Sequence, residues 1–185
     1  GLPVNECNGL SEEEEIVRFI QEVYDSVRIS LHINLALFIP KPQTPFQWAR
    51  QLTEEEGLTK IRSIKSKLPR KGVKFGYHSP FVSTLEGIIS RGDERVGELL
   101  VKAFKAGARL DAWQEYIQWD LWRSVIEDAG WDVTAELLRG RSVEEDLPWD
   151  CMNPRHFKGF LRNEWQRALE EKMSPGCFSG CAGCG

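Results

Sequence analysis

The stretch that decides the fold is Ile29-Ser-Leu-His-Ile-Asn-Leu-Ala-Leu-Phe-Ile-Pro-Lys-Pro-Gln-Thr-Pro45. From Ile29 to Ile39 every odd position is Ile or Leu, while the even positions carry Ser30, His32, Asn34, Ala36 and Phe38. A period of two with one wholly apolar face predicts a strand. Pro40, Pro42 and Pro45 then remove ladder donors and predict that the strand stops there. Before it, Ser11-Glu-Glu-Glu14 is a capping box, and Ile16, Phe19, Ile20, Val23 and Val27 recur at helical spacing. After it, Thr53 opens a second box with Glu56, followed by Leu58, Ile61, Ile64 and Leu68. Lys71-Gly72 predicts a turn, and Val73, Phe75 and Tyr77 a short second strand. Helix, strand and Pro-rich loop in succession predict the tail of a βα-type barrel or open sheet.

Beyond Ser79-Pro80 the pattern is helical. Stripes at Val82–Ile89, Val96–Phe104 and Ile117–Ile126 are closed by Gly92, Gly107 and Gly130. Asn153-Pro154 predicts the start of a last helix, with Phe157, Phe160, Leu161, Trp165 and Leu169 on its apolar face. Ser174-Pro175-Gly176 ends it. The expected fold is therefore α+β and mostly helical. Residues 1–78 form an α/β part, 79–173 a helical extension and 174–185 a Cys-rich tail.

The chain has 185 residues, a net charge of −4 and seven Trp. The acidic balance argues against a nucleic-acid-binding surface, which needs a basic patch. No apolar run is long enough to span a bilayer, so no membrane is expected, and the chain reads as cytoplasmic. It opens on Gly1 without an initiator Met, so its start reads as a cut, a tag scar or a processing site.

The strongest chemical signal is Cys177-Phe-Ser-Gly-Cys181-Ala-Gly-Cys184. Three thiolates this close converge on one soft metal or cluster. They can hold three irons of a [4Fe–4S] cluster, while full ligation, or a structural zinc site, needs a fourth ligand. Cys151, Cys7 and His156 are the candidates for it, and the residues alone do not choose among them. Zinc and a tail of unliganded thiols remain the alternatives. The charge run Glu12–Glu15 reads as a dipole-favoured helix start and not as a metal site.

The spacing C-x3-C-x2-C resembles the core-cluster motif of the radical S-adenosylmethionine enzymes, in which an open iron binds the cofactor and cleaves it to a carbon radical. In that family the motif precedes the barrel. Here it follows everything else, so an auxiliary [4Fe–4S] cluster is expected in its place. Gly1-Leu2-Pro3 is similar to a loop after a late barrel strand, close to the cofactor, with Asn5 where the family has Glu. The segment Phe38-Ile-Pro-Lys-Pro-Gln-Thr-Pro-Phe-Gln-Trp48 resembles a stretch of the cobalamin-binding-type subgroup. So do His78–Arg95, Leu110-Asp-Ala-Trp113 and Leu147-Pro-Trp-Asp150. The resemblance implies the C-terminal part of an enzyme using S-adenosylmethionine and cobalamin, whose partner is the rest of the barrel. By itself this chain would not be active, and the competing reading is a non-enzymatic zinc-binding or protein-docking module. A homodimer through the exposed barrel edge is a further expectation.

The same resemblance implies that Gly1, Pro3, His32 and Asn34 lie near S-adenosylmethionine. A satisfied polar face is the competing reading for His32 and Asn34. Lys41 reads as a partner for a carboxylate or phosphate-like group, or as a solvated loop residue. His78 reads as a local hydrogen-bonder. Arg91, Asp93 and Arg95 read as a salt-bridge network between two helices.

Overall fold

The computed structural model describes residues 11–27, 29–69, 71–152, 158–176 and 178–180. Among them the chain is α+β and mostly helical, with seven α-helices and one parallel two-stranded sheet. No helix among the described residues is long and apolar enough to cross a membrane.

Helix α1 (Glu12–Val27) starts on the expected box. Ser11 N–H donates to Glu14 Oε2 at 3.0 Å, and Glu14 N–H to Ser11 Oγ at 3.4 Å. Of its apolar stripe, Ile20 is buried while Phe19 is exposed. Strand β1 (Leu31–Leu35) pairs in parallel with β2 (Val73–Tyr77), in a register running from Leu31 opposite Val73 to Leu35 opposite Tyr77. Between them lies α2 (Glu54–Lys67), capped by the reciprocal Thr53–Glu56 bonds. The expected strand to Ile39 is cut back to Leu35 because β2 ends opposite it. His78 N–H donates to Leu35 O at 2.8 Å, and among the described residues no ladder partner follows on that side. Leu31, Ile33, Leu35 and Phe75 pack against Ile20, Ile64 and Leu68 of the two helices.

The helical part comprises α3 (Pro80–Arg91), α4 (Glu94–Ala106), α5 (Trp119–Glu127), α6 (Val133–Leu138) and α7 (Lys158–Leu169), with a 3-10 turn at Gln114–Tyr116. The largest core lies among α3 to α6, built on Phe81, Ile88, Leu99, Trp122 and Val133. Gly107 terminates α4 in the left-handed region at φ 113°, and its N–H bonds back to the carbonyls of Ala103 and Phe104. Helix α6 goes beyond the sequence reading. It is six residues long, too short to show a periodic stripe, and is set by Asp132, whose carboxylate accepts from Ala135 N–H at 2.9 Å. The expected start of the last helix at Asn153-Pro154 lies outside the described residues.

A second core joins the two parts of the chain. Trp48, from the Pro-rich segment, is buried with Leu147, Trp149 and Leu161. The segment after β1 is therefore built into the fold, with Pro40, Gln47, Trp48 and Gln51 all fully buried.

Candidate functional site

The sheet has two unlike faces. Leu31, Ile33 and Leu35 turn toward α1 and α2, and by alternation His32 and Asn34 turn the other way and are exposed. Lys74 lies opposite His32 in register, and Gly76 opposite Asn34. At the C-terminal ends of the strands, Asn34 Nδ2 sits 3.0 Å from His78 Nε2. An amide nitrogen only donates, so this geometry makes Nε2 the acceptor and places the proton of the neutral ring on Nδ1. His78 thus bonds across the sheet to a residue 44 positions away, not to its own helix start. Gly76 leaves room beside this pair, since a Cβ there would stand 3.4 Å from Asn34 Oδ1.

The Pro-rich segment leads away from that end of the sheet. Lys41 pairs with the Glu86 carboxylate on α3, and both side chains are about half exposed. Thr44 Oγ1 donates to Lys41 O at 2.8 Å, and Gln47 Oε1 accepts from Gln43 N–H at 3.1 Å and from Trp149 Nε1 at 2.6 Å. Gln51 Nε2 donates to Ser83 O at 2.7 Å. Gln43 adopts a positive φ of 59° to make the turn.

Beneath the segment lies Arg91, with 0% of its surface exposed. It corrects the expected salt-bridge network. Arg95 does pair with Asp93 and with Glu136, at 2.9 and 2.8 Å. Among the described residues Arg91 meets no carboxylate. Its Nε donates to Leu137 O at 3.1 Å, Nη1 to Pro40 O at 3.0 Å and Gln47 O at 3.3 Å, and Nη2 to Arg139 O at 3.1 Å. Two of those carbonyls belong to the C-terminal end of α6, where the helix dipole is negative. Burial, and then the neighbouring Arg141 and Arg139, push the guanidinium down to about 10, still charged at neutral pH. The sequence shows an Arg at the end of an amphipathic helix, and nothing in that pattern distinguishes a buried Arg from a surface one.

The expected metal site is not assembled among the described residues. Cys177, Cys181 and Cys184 lie outside them, as do Gly1, Pro3, Cys7 and His156. Cys151 is described: it is exposed, and its Sγ lies 3.5 Å from Pro148 O. An exposed thiol is accessible to a metal. Among the described residues no group of three or more His, Cys, Asp or Glu is placed to hold one. His32 and Asn34 do share one exposed face, with Asn34 joined to His78. That corner offers amide and imidazole hydrogen-bonding groups, suited to orienting a polar ligand. No protein family, curated protein or solved structure matches this chain.

Proposed function

We propose that this chain is the C-terminal part of a radical S-adenosylmethionine enzyme of the cobalamin-binding type. In this reading the β1–α2–β2 unit closes one end of a (β/α) barrel, and the Cys-rich segment carries an auxiliary [4Fe–4S] cluster. One observation supports it above the others: a parallel pair of strands that is packed on one face and bare and polar on the other. Parallel sheets are normally covered on both faces, and two strands alone are marginal. Further strands of the parent protein would supply the missing neighbours and turn His32, Asn34 and Lys74 toward the barrel interior. Barrel enzymes place their binding groups at the C-terminal ends of the strands, which is where Asn34 and His78 meet.

When bound to its iron–sulfur cluster, S-adenosylmethionine supplies a carbon radical. The role of Asn34 and His78 would be to hold polar groups of a ligand by hydrogen bonds. Cys177, Cys181 and Cys184 would ligate the auxiliary cluster, with Cys151 as the candidate fourth ligand. Clustered thiolates of this kind belong in a reducing compartment, which favours the cytoplasm.

The test is anaerobic reconstitution of the 185-residue chain with iron and sulfide, read by metal analysis and visible absorption. A broad thiolate-to-iron band that is absent from the Cys177→Ser/Cys181→Ser/Cys184→Ser variant is expected. Colourless stoichiometric zinc, or no metal under any condition, would overturn the cluster assignment.

A further inference from the structure

Helix α4 carries two apolar stripes. Val96, Leu99 and Ala103 are buried in the largest core and seat the helix on it. Gly97, Leu100, Val101 and Phe104 follow one another at helical spacing along a different face. All four are exposed, and Leu100, Val101 and Phe104 keep 40%, 52% and 59% of their surface open. One stripe is enough to seat a surface helix. The second is left in water, apart from Arg109 lying over the Phe104 ring at 3.7 Å. Contiguous apolar side chains in water mark an interaction surface. This one also has relief. A Cβ at Gly97 would meet nothing within 4 Å, so Gly97 is an open notch two turns along the helix from the Phe104 ring.

The flank of this stripe is charged in a definite order. Glu94, Glu98, Lys102 and Lys105 run along one side of it, all exposed, acidic toward the N-terminus and basic toward the C-terminus. Among the described residues Glu94, Glu98 and Lys105 enter no ion pair, and Lys102 reaches only the Asp128 carbonyl, at 3.4 Å. That order selects the occupant. Laying α4 antiparallel on a copy of itself, about a two-fold axis near Leu100, brings the same flank of both helices together. Glu94 then stands opposite Lys105, Glu98 opposite Lys102 and Gly97 opposite Phe104, and each pairing occurs twice. A parallel pair would set like charges against each other, which is unfavourable. A patch that complements itself in one register is what a two-fold, isologous contact requires.

We propose that two copies of this chain pair antiparallel through α4, with the Phe104 ring of each copy seated at Gly97 of the other. The surface is distinct from the edge of the sheet, and the proposal does not rest on membership of a radical-enzyme family. Two 13-residue helices make an interface at the small end of the specific range. A weak dimer, dissociating at about 10–100 µM, is expected.

Sedimentation equilibrium of the full chain from about 5 to about 500 µM tests this. Reductant and chelator in the buffer keep disulfides and metals from bridging copies. Val101→Asp, at an exposed position, should abolish the dimer. Glu98→Lys leaves two lysines on the middle of the flank, and Lys102→Glu leaves two glutamates. Each variant alone should dissociate about tenfold more readily than the wild type. Mixed in equal amounts they present opposite charges at both positions, so a heterodimer about as tight as the wild-type dimer should form. Salt at about 1 M should shrink these differences. Circular dichroism melts like that of the wild type show each variant folded. A chain that stays monomeric throughout the range would overturn the proposal. So would a dimer as tight in Val101→Asp as in the wild type, or a mixture of the two charge variants that associates no better than either alone.

Discussion

Arg91 Nη1 donates to the carbonyl of Pro40 at 3.0 Å, across 51 positions of sequence. The bond fixes the point at which the chain leaves the sheet and enters the Pro-rich segment. The same guanidinium reaches Gln47, Leu137 and Arg139, so one side chain ties that segment to the end of α6. Replacing it with Met would strand these carbonyls in a buried site. The expected cost is about 3–5 kcal/mol, since several polar groups lose their partners at once. Arg91→Lys keeps the charge but not the planar fork, and should lose about 2 kcal/mol. Urea unfolding of both variants checks this, and a loss below about 1 kcal/mol for Arg91→Met would show that the carbonyls find other partners.

Gly87 makes a second close approach testable. A Cβ at this position would stand 2.2 Å from Oε1 of Gln51, a side chain that is fully buried and bonded to Ser83 O. Gln51 has no room to retreat without breaking that bond. Gly87→Ala should therefore destabilise the fold by about 1–3 kcal/mol, although it raises helix propensity. Gly97 lies in the neighbouring helix α4, where an added Cβ meets nothing within 4 Å. Gly97→Ala should stabilise by about 0.5–1 kcal/mol, and thermal unfolding of the pair gives opposite signs.

Much of the secondary structure was legible in the sequence because its signals are local. The capping boxes at Ser11 and Thr53 and the glycine stops at Gly92 and Gly107 act within one or two turns, and the structure uses each of them. Alternation alone carries the strand to Ile39, but strand length depends on a partner, and β2 stops opposite Leu35. The site was legible only in part. Alternation put His32 and Asn34 on one face, yet His78 joins Asn34 through register, which a single sequence does not print. Arg91 and Gln47 were hidden for a related reason. Their burial is compensated by carbonyls and an indole N–H from remote segments, and a polar letter carries no mark of such partners.

The rim ion pairs set a dependence on acid. Hydrogen bonding from Arg95 holds the Asp93 carboxyl below its ordinary value, and Arg139 does the same for Glu145. A carboxylate whose folded pKa is depressed contributes stability that is fully present above its unfolded value and is lost as pH falls through the folded one. The folded state should therefore weaken as pH drops below the ordinary carboxylate range. Asp93→Asn with Glu145→Gln should flatten that acid limb while costing little additional stability at low pH, where the wild-type carboxyls are already protonated. Unfolding midpoints measured across pH check the slope, and an unchanged acid limb in the double variant would place the effect elsewhere.

The Asn34–His78 contact makes a prediction about a proton. With Nε2 accepting from the Asn34 amide at 3.0 Å, the neutral His78 ring carries its hydrogen on Nδ1. Nitrogen-15 shifts of the imidazole above its titration range should show that tautomer dominant. Asn34→Leu removes the donor and leaves Nε2 facing solvent, so the ring should move toward the Nε2–H form usual for an unconstrained histidine. His78 lies beyond the last residue of β2 and Asn34 sits one residue before the end of β1, on the exposed face, so global stability should change by less than about 1 kcal/mol. A tautomer that does not respond to Asn34→Leu would mean that the backbone around His78, and not the partner strand, sets the ring. The corner would then lose its standing as a preorganised pair.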